Sequence, residues 1–226
     1  MTAVRTARER ARAELTAEIL AAARRQLAEH GAAALSLRAV ARELGMASSA
    51  VYRYFATRDE LLTALLVEAY DGLGDAVDPA TAAAPGRTPR ERWLAGCIAV
   101  RTWALAHPHQ YALLYGAPVP GYAAPAERTT PPGSRVALAL LAVLADAPVE
   151  GVTRPLAPAL ATQAAGVVAA VAPGLDPRVL VRTASAWTAL FGLVSFEMFG
   201  QLDGTFEPAD ALFAHAAEEL ADSLGL

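Results

Sequence analysis

The segment Ser36–Phe55 restricts the possible folds of this sequence more than any other part. Its apolar residues between Leu37 and Leu44 recur three or four positions apart, which predicts a short helix with one buried face. Gly45 follows and can take the left-handed conformation that ends a helix. A second short helix is predicted from Ser48 to the end of the segment. Two short helices joined by so tight a turn are typical of a helix-turn-helix.

Within this motif the side chains divide into an inward and an outward set. Ala41 is small enough to let the two helix backbones approach closely. Val51 and Phe55 are expected to be buried, whereas Tyr52 and Arg53 are expected to point outward. Hydroxyl and guanidinium groups on an exposed short helix suit contact with phosphates and with base edges in the major groove of DNA.

Helices are also predicted on both sides of the motif. Before it, apolar residues recur every fourth position from Leu15 to Glu29, and a glycine follows. Ser36 is placed to cap the first helix of the motif. After the motif, Thr57 and Glu60 have the spacing of a capping box at the start of a fourth helix, predicted over residues 57–76.

The remainder predicts an all-α chain. Alanine makes up about a quarter of the residues and aromatic residues only 7%, a composition that favours helices over a β-sandwich. Proline and glycine separate the predicted elements. We predict loops at Asp78–Pro89 and Gly116–Gly133, and helices at residues 89–106, 108–115, 133–146, 155–171, 177–200 and 208–224.

Charge and chemistry exclude several classes of protein. Residues 1–60 carry ten Arg against seven acidic residues, whereas the rest carries nine Arg against sixteen, so the front is basic and the rear acidic. The single Cys97 excludes an internal disulfide, and the four His residues show no metal-ligand spacing. Without a nucleophile turn or a phosphate loop, we expect neither an enzyme nor a cofactor. No export signal or clean membrane span is found, so a cytoplasmic protein is expected.

Three segments carry a resemblance to a known family. The runs LRAVARELGM from Leu37, AVYRYF from Ala50 and RDEL from Arg58 resemble the DNA-binding domain of the TetR family of transcriptional regulators over about residues 14–70. Ala106-His107-Pro108 and the run WTALFGLVS from Trp187 are similar to an actinomycete subgroup of that family. The resemblance implies a homodimer whose third helices enter the major groove and whose helical rear domains pair the subunits and hold a small ligand.

The resemblance also implies roles for individual residues and domains. It predicts a helix-turn-helix domain over residues 1–60 and a ligand-binding and dimerisation domain over residues 77–226. Arg58 matches a residue, usually lysine, at the start of the fourth helix. Its guanidinium and the Tyr52 hydroxyl are both expected to bind DNA phosphate groups. Ala47 departs from the usual Ser or Thr cap. The full DNA-binding set is Ser36, Arg38, Ala47, Ser48, Ser49, Tyr52, Arg53 and Arg58.

The rear domain supplies two further sets of candidates. We expect an unknown, mostly apolar effector to be held by residues on and near helix 89–106, namely Trp93, Cys97, Arg101, Trp103, Tyr111, Tyr115 and Met198. We expect the last two helices to pair across a two-fold axis through Trp187, Ala189, Phe191, Val194, Leu212, His215, Ala216 and Glu219, as a four-helix bundle.

Each of these assignments has an alternative. The pocket residues could be ordinary core, with Arg101 in a salt bridge. Trp187 and Phe191 could pack within one subunit. Arg8, Arg10 and Arg12 could enter a minor groove or form a solvated tail. For the whole protein, the alternatives are a DNA-binding protein without an effector and a helical small-molecule-binding protein without an operator.

Overall fold

The computed structural model describes residues 6–147 and 154–226, and over these residues the chain is all-α, as predicted. The described helices are α1 Ala7–His30, α2 Leu37–Glu43, α3 Ser48–Val51, α4 Arg58–Thr81, α5 Pro89–Ala106, α6 Pro108–Tyr115, α7 Ala126–Ala145, α8 Pro158–Val171, α9 Pro177–Met198 and α10 Asp210–Leu224. A single 3-10 turn, Ala32–Ala34, lies between α1 and α2.

The described residues form two compact units. The front unit contains the residues up to Asp71 together with His107–Gly133, and the rear unit contains Gly72–Ala106 with the described part of Ser134–Leu226. This division differs from the predicted domains, because α6 and the loop after it group with the helix-turn-helix rather than with the rear helices. Sequence order suggested a boundary near residue 77, whereas contacts between distant segments place residues 107–133 in the front unit.

Helix boundaries set by local signals agree with the sequence. The structure has α5 and α6 at the predicted bounds, and α3 begins at Ser48. Gly45 has φ +64°, the left-handed conformation expected for the turn between α2 and α3. The regular part of α3 is shorter than predicted, since it ends at Val51 and continues as a tight turn in which the Tyr54 N–H donates to the Val51 carbonyl.

Two predicted loops are partly helical. α4 continues to Thr81 with Pro79 inside it, so the loop before α5 is shorter than Asp78–Pro89. The Arg87 and Arg92 guanidinium groups donate to the carbonyls of Ala80 and Thr81, at 2.8 and 2.7 Å. These bonds satisfy carbonyls that a helix C-terminus leaves without partners, and so they stabilise the extra turn.

The proline-rich stretch Gly116–Gly133 is the second predicted loop that is partly helical. α7 begins at Ala126 and includes Pro131 and Pro132. The N–H groups of Arg128 and Thr129 both donate to the Pro125 carbonyl and start the helix before the prolines. The irregular loop therefore spans only residues 116–125, and proline content alone was a poor guide to its length.

Candidate nucleic-acid interface

The core of the front unit fixes the orientation of α2 and α3. Val40, Ala41, Val51 and Phe55 are buried in one cluster with residues from α1 and α4. The Met46 N–H donates to the Ala41 carbonyl at 2.8 Å, which closes the turn between the two helices. Since the apolar face of each helix is covered by this cluster, the opposite face is left in solvent.

That opposite face carries most of the predicted DNA-binding residues. Tyr52 is 42% exposed, so it is not a core aromatic residue, and Arg53 beside it is also exposed. Ser49 and Arg38 are exposed, Ala47 lies at the surface just before α3, and Ser36 and Ser48 are half-buried. The structure thus brings a phenol, two guanidinium groups and a hydroxyl to the surface of two adjacent short helices.

Side-chain caps at the starts of α2 and α3 differ from expectation. Ser36 occupies the N-cap position of α2, but its side chain makes no capping bond; its N–H instead donates to the Gln26 side-chain oxygen at 3.4 Å. Ala47 is the N-cap residue of α3 and has no side chain to cap with. α4 is capped as predicted, because the Thr57 hydroxyl accepts from the Glu60 N–H, although Glu60 reaches back to the N–H of Ala56.

Arg58 is held by the backbone of the front unit. Its guanidinium donates to the carbonyls of Ala32, Ala33 and Leu35 at 2.8 to 3.2 Å, and its side chain is partly buried. These carbonyls belong to the 3-10 turn and its end, so Arg58 ties the start of α4 to the segment that precedes α2. The predicted phosphate contact of Arg58 would have to share the guanidinium with these carbonyls.

The N-terminal arginines belong to α1 from its first turn onward. Thr6 and Glu9 form a complete capping box, which begins the helix at Ala7. Arg8, Arg10 and Arg12 are solvated, but they lie on a regular helix rather than on an irregular tail. The Arg12 guanidinium lies 5.1 Å from the centre of the Tyr54 ring.

Sequence patterns did not predict that α6 and the loop 116–125 pack against the helix-turn-helix core within the front unit. Leu113, Val119 and Tyr122 pack against the buried cluster of the helix-turn-helix. The Tyr122 hydroxyl also lies 2.8 Å from the hydroxyl of Thr63 on α4. The signal was present as two large apolar or aromatic residues in a proline-rich stretch, but nothing local indicated what they would cover.

Comparison with known families decides what this surface belongs to. Residues 19–65 match the family model "Bacterial regulatory proteins, tetR family", and residues 93–220 match "Tetracyclin repressor-like, C-terminal domain". The chain belongs to the TetR family. It is a transcriptional regulator with a DNA-binding helix-turn-helix, as the resemblance implied.

Individual relatives agree with this assignment. The chain is 44% identical over 204 residues to the HTH-type transcriptional regulator Rv1816 of Mycobacterium tuberculosis, covering 86% of this chain and 85% of that protein. The crystal structure of a regulatory protein designated SCO4313 is similar with a TM-score of 0.78 and 33% identity, covering 95% of this chain and 98% of that one. A TetR variant of Acinetobacter baumannii, solved with minocycline, shares the fold at a TM-score of 0.56 and 19% identity, over 92% of this chain and 94% of the other.

The residues predicted for an effector pocket fall into both units of this regulator. Tyr111 and Tyr115 belong to the front unit, with ring centres 5.0 Å apart. The other five belong to the rear unit, where Trp93, Cys97 and Trp103 are buried on α5. Burial raises the pKa of the Cys97 thiol to about 12, as expected for an apolar environment.

Arg101 is in a salt bridge, the alternative that the sequence left open. Its guanidinium binds both carboxylate oxygens of Glu197 on α9 and one of Asp210 on α10, at 2.6 to 2.9 Å. These carboxylates raise the pKa of Arg101. The guanidinium also lies 5.0 Å from the centre of the Phe213 ring. Arg101 therefore joins three helices of the rear unit.

The residues predicted for the dimer interface do not share one exposed face. Val194 and Phe191 are buried within the single subunit, and the Trp187 ring contacts the Phe191 ring edge-on with centres 5.7 Å apart. Trp187, Leu212 and Ala216 are partly buried, whereas Ala189, His215 and Glu219 are exposed. Phe191 and Val194 thus lie on the inner face of α9, as the alternative of packing within one subunit expects, and the interface roles of the other residues stay predictions.

Among the helices that the structure describes, α9 has the length and hydropathy of a membrane span. Of its apolar stretch 33% is buried in the subunit, where α9 packs against α5, α8 and α10. Over residues 6–147 and 154–226, no group of three or more His, Cys, Asp or Glu side chains could hold a metal ion.

Proposed function

We propose that this TetR-family regulator is a cytoplasmic, non-enzymatic repressor. In this proposal it binds a palindromic operator as a homodimer and leaves the operator when a small, mostly apolar molecule binds. The observation that carries the DNA-binding part is the pattern of burial at the end of α3, where Val51 is fully buried while the next two residues, Tyr52 and Arg53, are exposed. Burial of Val51 anchors the end of α3 in the core and so holds Tyr52 and Arg53 in fixed positions, as base recognition requires.

For the homodimer, exposed apolar stripes on two helices support an interface. On α8, Leu160, Val167 and Val171 are spaced along one face and are 40 to 47% exposed. On α9, the outward face has small residues such as Ala189 and Gly192, and Phe196 at 55% exposure. Large exposed apolar patches mark interaction sites in soluble proteins, and small residues let a second helix approach closely.

The outward face of α10 is less suited to the same role. Glu218 and Asp222 lie on it and pair with Arg90 of α5, and His215 and Glu219 are exposed beside them. Burying these side chains, which already have partners within the subunit, against a second copy would cost desolvation energy without a new cation to offset it. We therefore place the proposed two-fold interface on α8 and α9 rather than on α9 and α10.

The operator follows from this symmetry. Two third helices related by a two-fold axis are expected about 34 to 36 Å apart, or a multiple of that distance, so that both enter the same side of the duplex. Selection from random DNA with the full chain should enrich an inverted repeat. Enrichment of a single half-site, or of no sequence at all, would contradict the proposal.

Two substitutions separate phosphate contact from base reading. Tyr52→Phe should weaken binding to the selected operator and to unrelated DNA by a similar factor, because a phosphate contact carries no sequence information. Arg53→Ala should change which base is preferred at one position of each half-site. Arg154→Ala removes another exposed arginine, from the rear unit, and is the matched control, with no expected change.

Release by a small molecule requires a difference in affinity between two conformations. Moving the population from mostly operator-competent to mostly incompetent needs about 5.5 kcal/mol of differential binding. A pocket near α5 stays a prediction, with Trp93, Cys97 and Met198 as its proposed residues. A ligand screen by thermal shift, followed by operator release, tests it; ligands that neither stabilise the protein nor release DNA would favour a regulator without an effector.

A further inference from the structure

The front unit contains a cavity of about 450 Å³ that none of the predicted sites includes. It lies where the end of α1, the 3-10 turn, α6 and the loop 116–125 meet. Leu27, Ala33, Leu113 and Val119 are among its walls. A cavity of this size is within the usual range for small-molecule sites, which runs from about 300 to 1,000 Å³.

The lining of this cavity defines the chemistry of its occupant. His109 on α6 is its single titratable side chain, and the other lining residues are glycine, alanine, leucine, proline and valine. The exposed His109 imidazole makes no hydrogen bond with any residue that the structure describes. Apolar walls with one polar group fixing orientation are the usual composition of a ligand site.

From these observations we propose that the cavity binds an uncharged, mostly apolar small molecule with one hydroxyl or carbonyl group that hydrogen bonds to His109. A water molecule takes up about 30 Å³ in the liquid, so the cavity has room for about fifteen non-hydrogen atoms of that size. A peptide helix, about 10 Å wide with its side chains, is too large for it. The absence of a cation or a carboxylate from its walls argues against a charged ligand.

Two features of the walls couple this site to the DNA-binding surface. The carbonyls of Ala32 and Ala33 accept hydrogen bonds from Arg58, so the wall and the start of α4 are tied together. Leu113 and Val119 face the cavity and also pack against the helix-turn-helix core. A ligand that displaces either wall therefore shifts elements that position α2 and α3. This coupling, unlike the site itself, rests on the proposed binding of operator DNA.

The test uses 1-naphthol, which has ten ring carbons and one hydroxyl, with the full chain carrying labelled Leu and Val methyl groups. We expect saturable NMR shifts at the methyl groups of Leu27, Leu113 and Val119. Shifts confined to methyl groups of the rear unit, such as those of Val100 and Leu140, would overturn the proposal. So would the absence of binding up to about 1 mM naphthol, a concentration that would detect even a weak ligand.

Matched variants locate the site more sharply. Ala33→Trp fills the cavity from an exposed position and should abolish the shifts, whereas Ala34→Trp, exposed one residue later and outside the lining, should leave them unchanged. His109→Leu should weaken binding of 1-naphthol about tenfold. The same variant should bind naphthalene, which lacks the hydroxyl, as the parent protein does. If Ala33→Trp binds naphthol like the parent protein, the cavity is not the site.

A final measurement separates this inference from the proposed function. The affinity for 1-naphthol is determined with and without saturating selected operator DNA, and we expect a difference of at least about fivefold. Equal affinities would overturn the coupling. If the parent chain binds operator normally but never binds naphthol, the site is refuted and the DNA-binding proposal stands. If the chain binds naphthol but no DNA, the DNA-binding proposal is refuted and the cavity remains a ligand site.

Discussion

The hydroxyl of Tyr122 donates a hydrogen bond to the hydroxyl of Thr63, with 2.8 Å between the two oxygens. The direction follows from Thr63, whose only hydroxyl hydrogen is used by the Asp59 carbonyl, also at 2.8 Å. Thr63 is almost completely buried, so its remaining acceptor capacity depends on Tyr122. This contact attaches the loop 116–125 to α4 within the front unit.

Tyr122→Phe should therefore lower the free energy of unfolding by about 1 kcal/mol, because it removes one half-buried hydrogen bond and leaves the ring in place. Urea unfolding followed by circular dichroism measures the change. Tyr52→Phe makes the same chemical change at an exposed hydroxyl and should leave stability unchanged while weakening DNA binding. Equal stability of both variants would show that the loop contact is not maintained in solution.

Arg58 offers a choice between a structural and a phosphate-binding role. Arg58→Ala removes hydrogen bonds to three carbonyls and should destabilise the protein by about 2 kcal/mol. It should also weaken DNA binding. If Arg58 binds only the backbone, the slope of log affinity against log salt stays unchanged; a slope smaller by about one unit would show that it also neutralises a phosphate.

The ion pair of Arg101 with Glu197 is expected to hold α5 and α9 together. Both side chains are only 15% exposed, so Glu197→Gln leaves a shielded guanidinium with Asp210 as its remaining carboxylate and should cost about 2 kcal/mol of stability. Arg178→Ala breaks an exposed pair with Asp176 and should cost less than about 1 kcal/mol. If the two variants lose similar stability, burial of the Arg101 ion pair adds nothing to the stability of the protein.

Cys97 should be unreactive in the folded protein. With its pKa raised to about 12, the thiolate fraction at pH 8 is about one in ten thousand, and the side chain is fully buried. Alkylation by iodoacetamide should therefore proceed only at the rate of unfolding, and urea should restore full reactivity. Rapid labelling in native buffer would show that the α5 region opens without unfolding of the whole protein.

The proposed interface on α8 and α9 can be tested by placing a charge on each helix. Val167→Arg on α8 and Ala189→Arg on α9 should convert the dimer to a monomer in sedimentation velocity, since each buries an unpaired guanidinium between subunits. Ala214→Arg, on the outward face of α10, is the matched control and should remain dimeric. If Ala214→Arg is monomeric while Val167→Arg stays dimeric, the interface lies on α9 and α10 instead.

The sequence by itself determined the local elements of this protein. The bounds of α5 and α6, the left-handed Gly45 and the start of α3 at Ser48 follow from signals within a few residues of each other, namely proline at a helix start, glycine at a helix end and apolar spacing. The helix-turn-helix also has a spacing strict enough to indicate its family. These features were predictable because their physical causes are local.

Only the tertiary structure decided which surfaces meet. The spacing of Phe191 and Val194 showed that one face of α9 is apolar, but not that its own subunit covers that face. Nothing near Arg58 or Tyr122 in the sequence indicated the carbonyls of the 3-10 turn or the hydroxyl of Thr63 as partners. Periodicity defines a face, whereas its partner is set by packing between segments far apart in the chain, which local propensity does not encode.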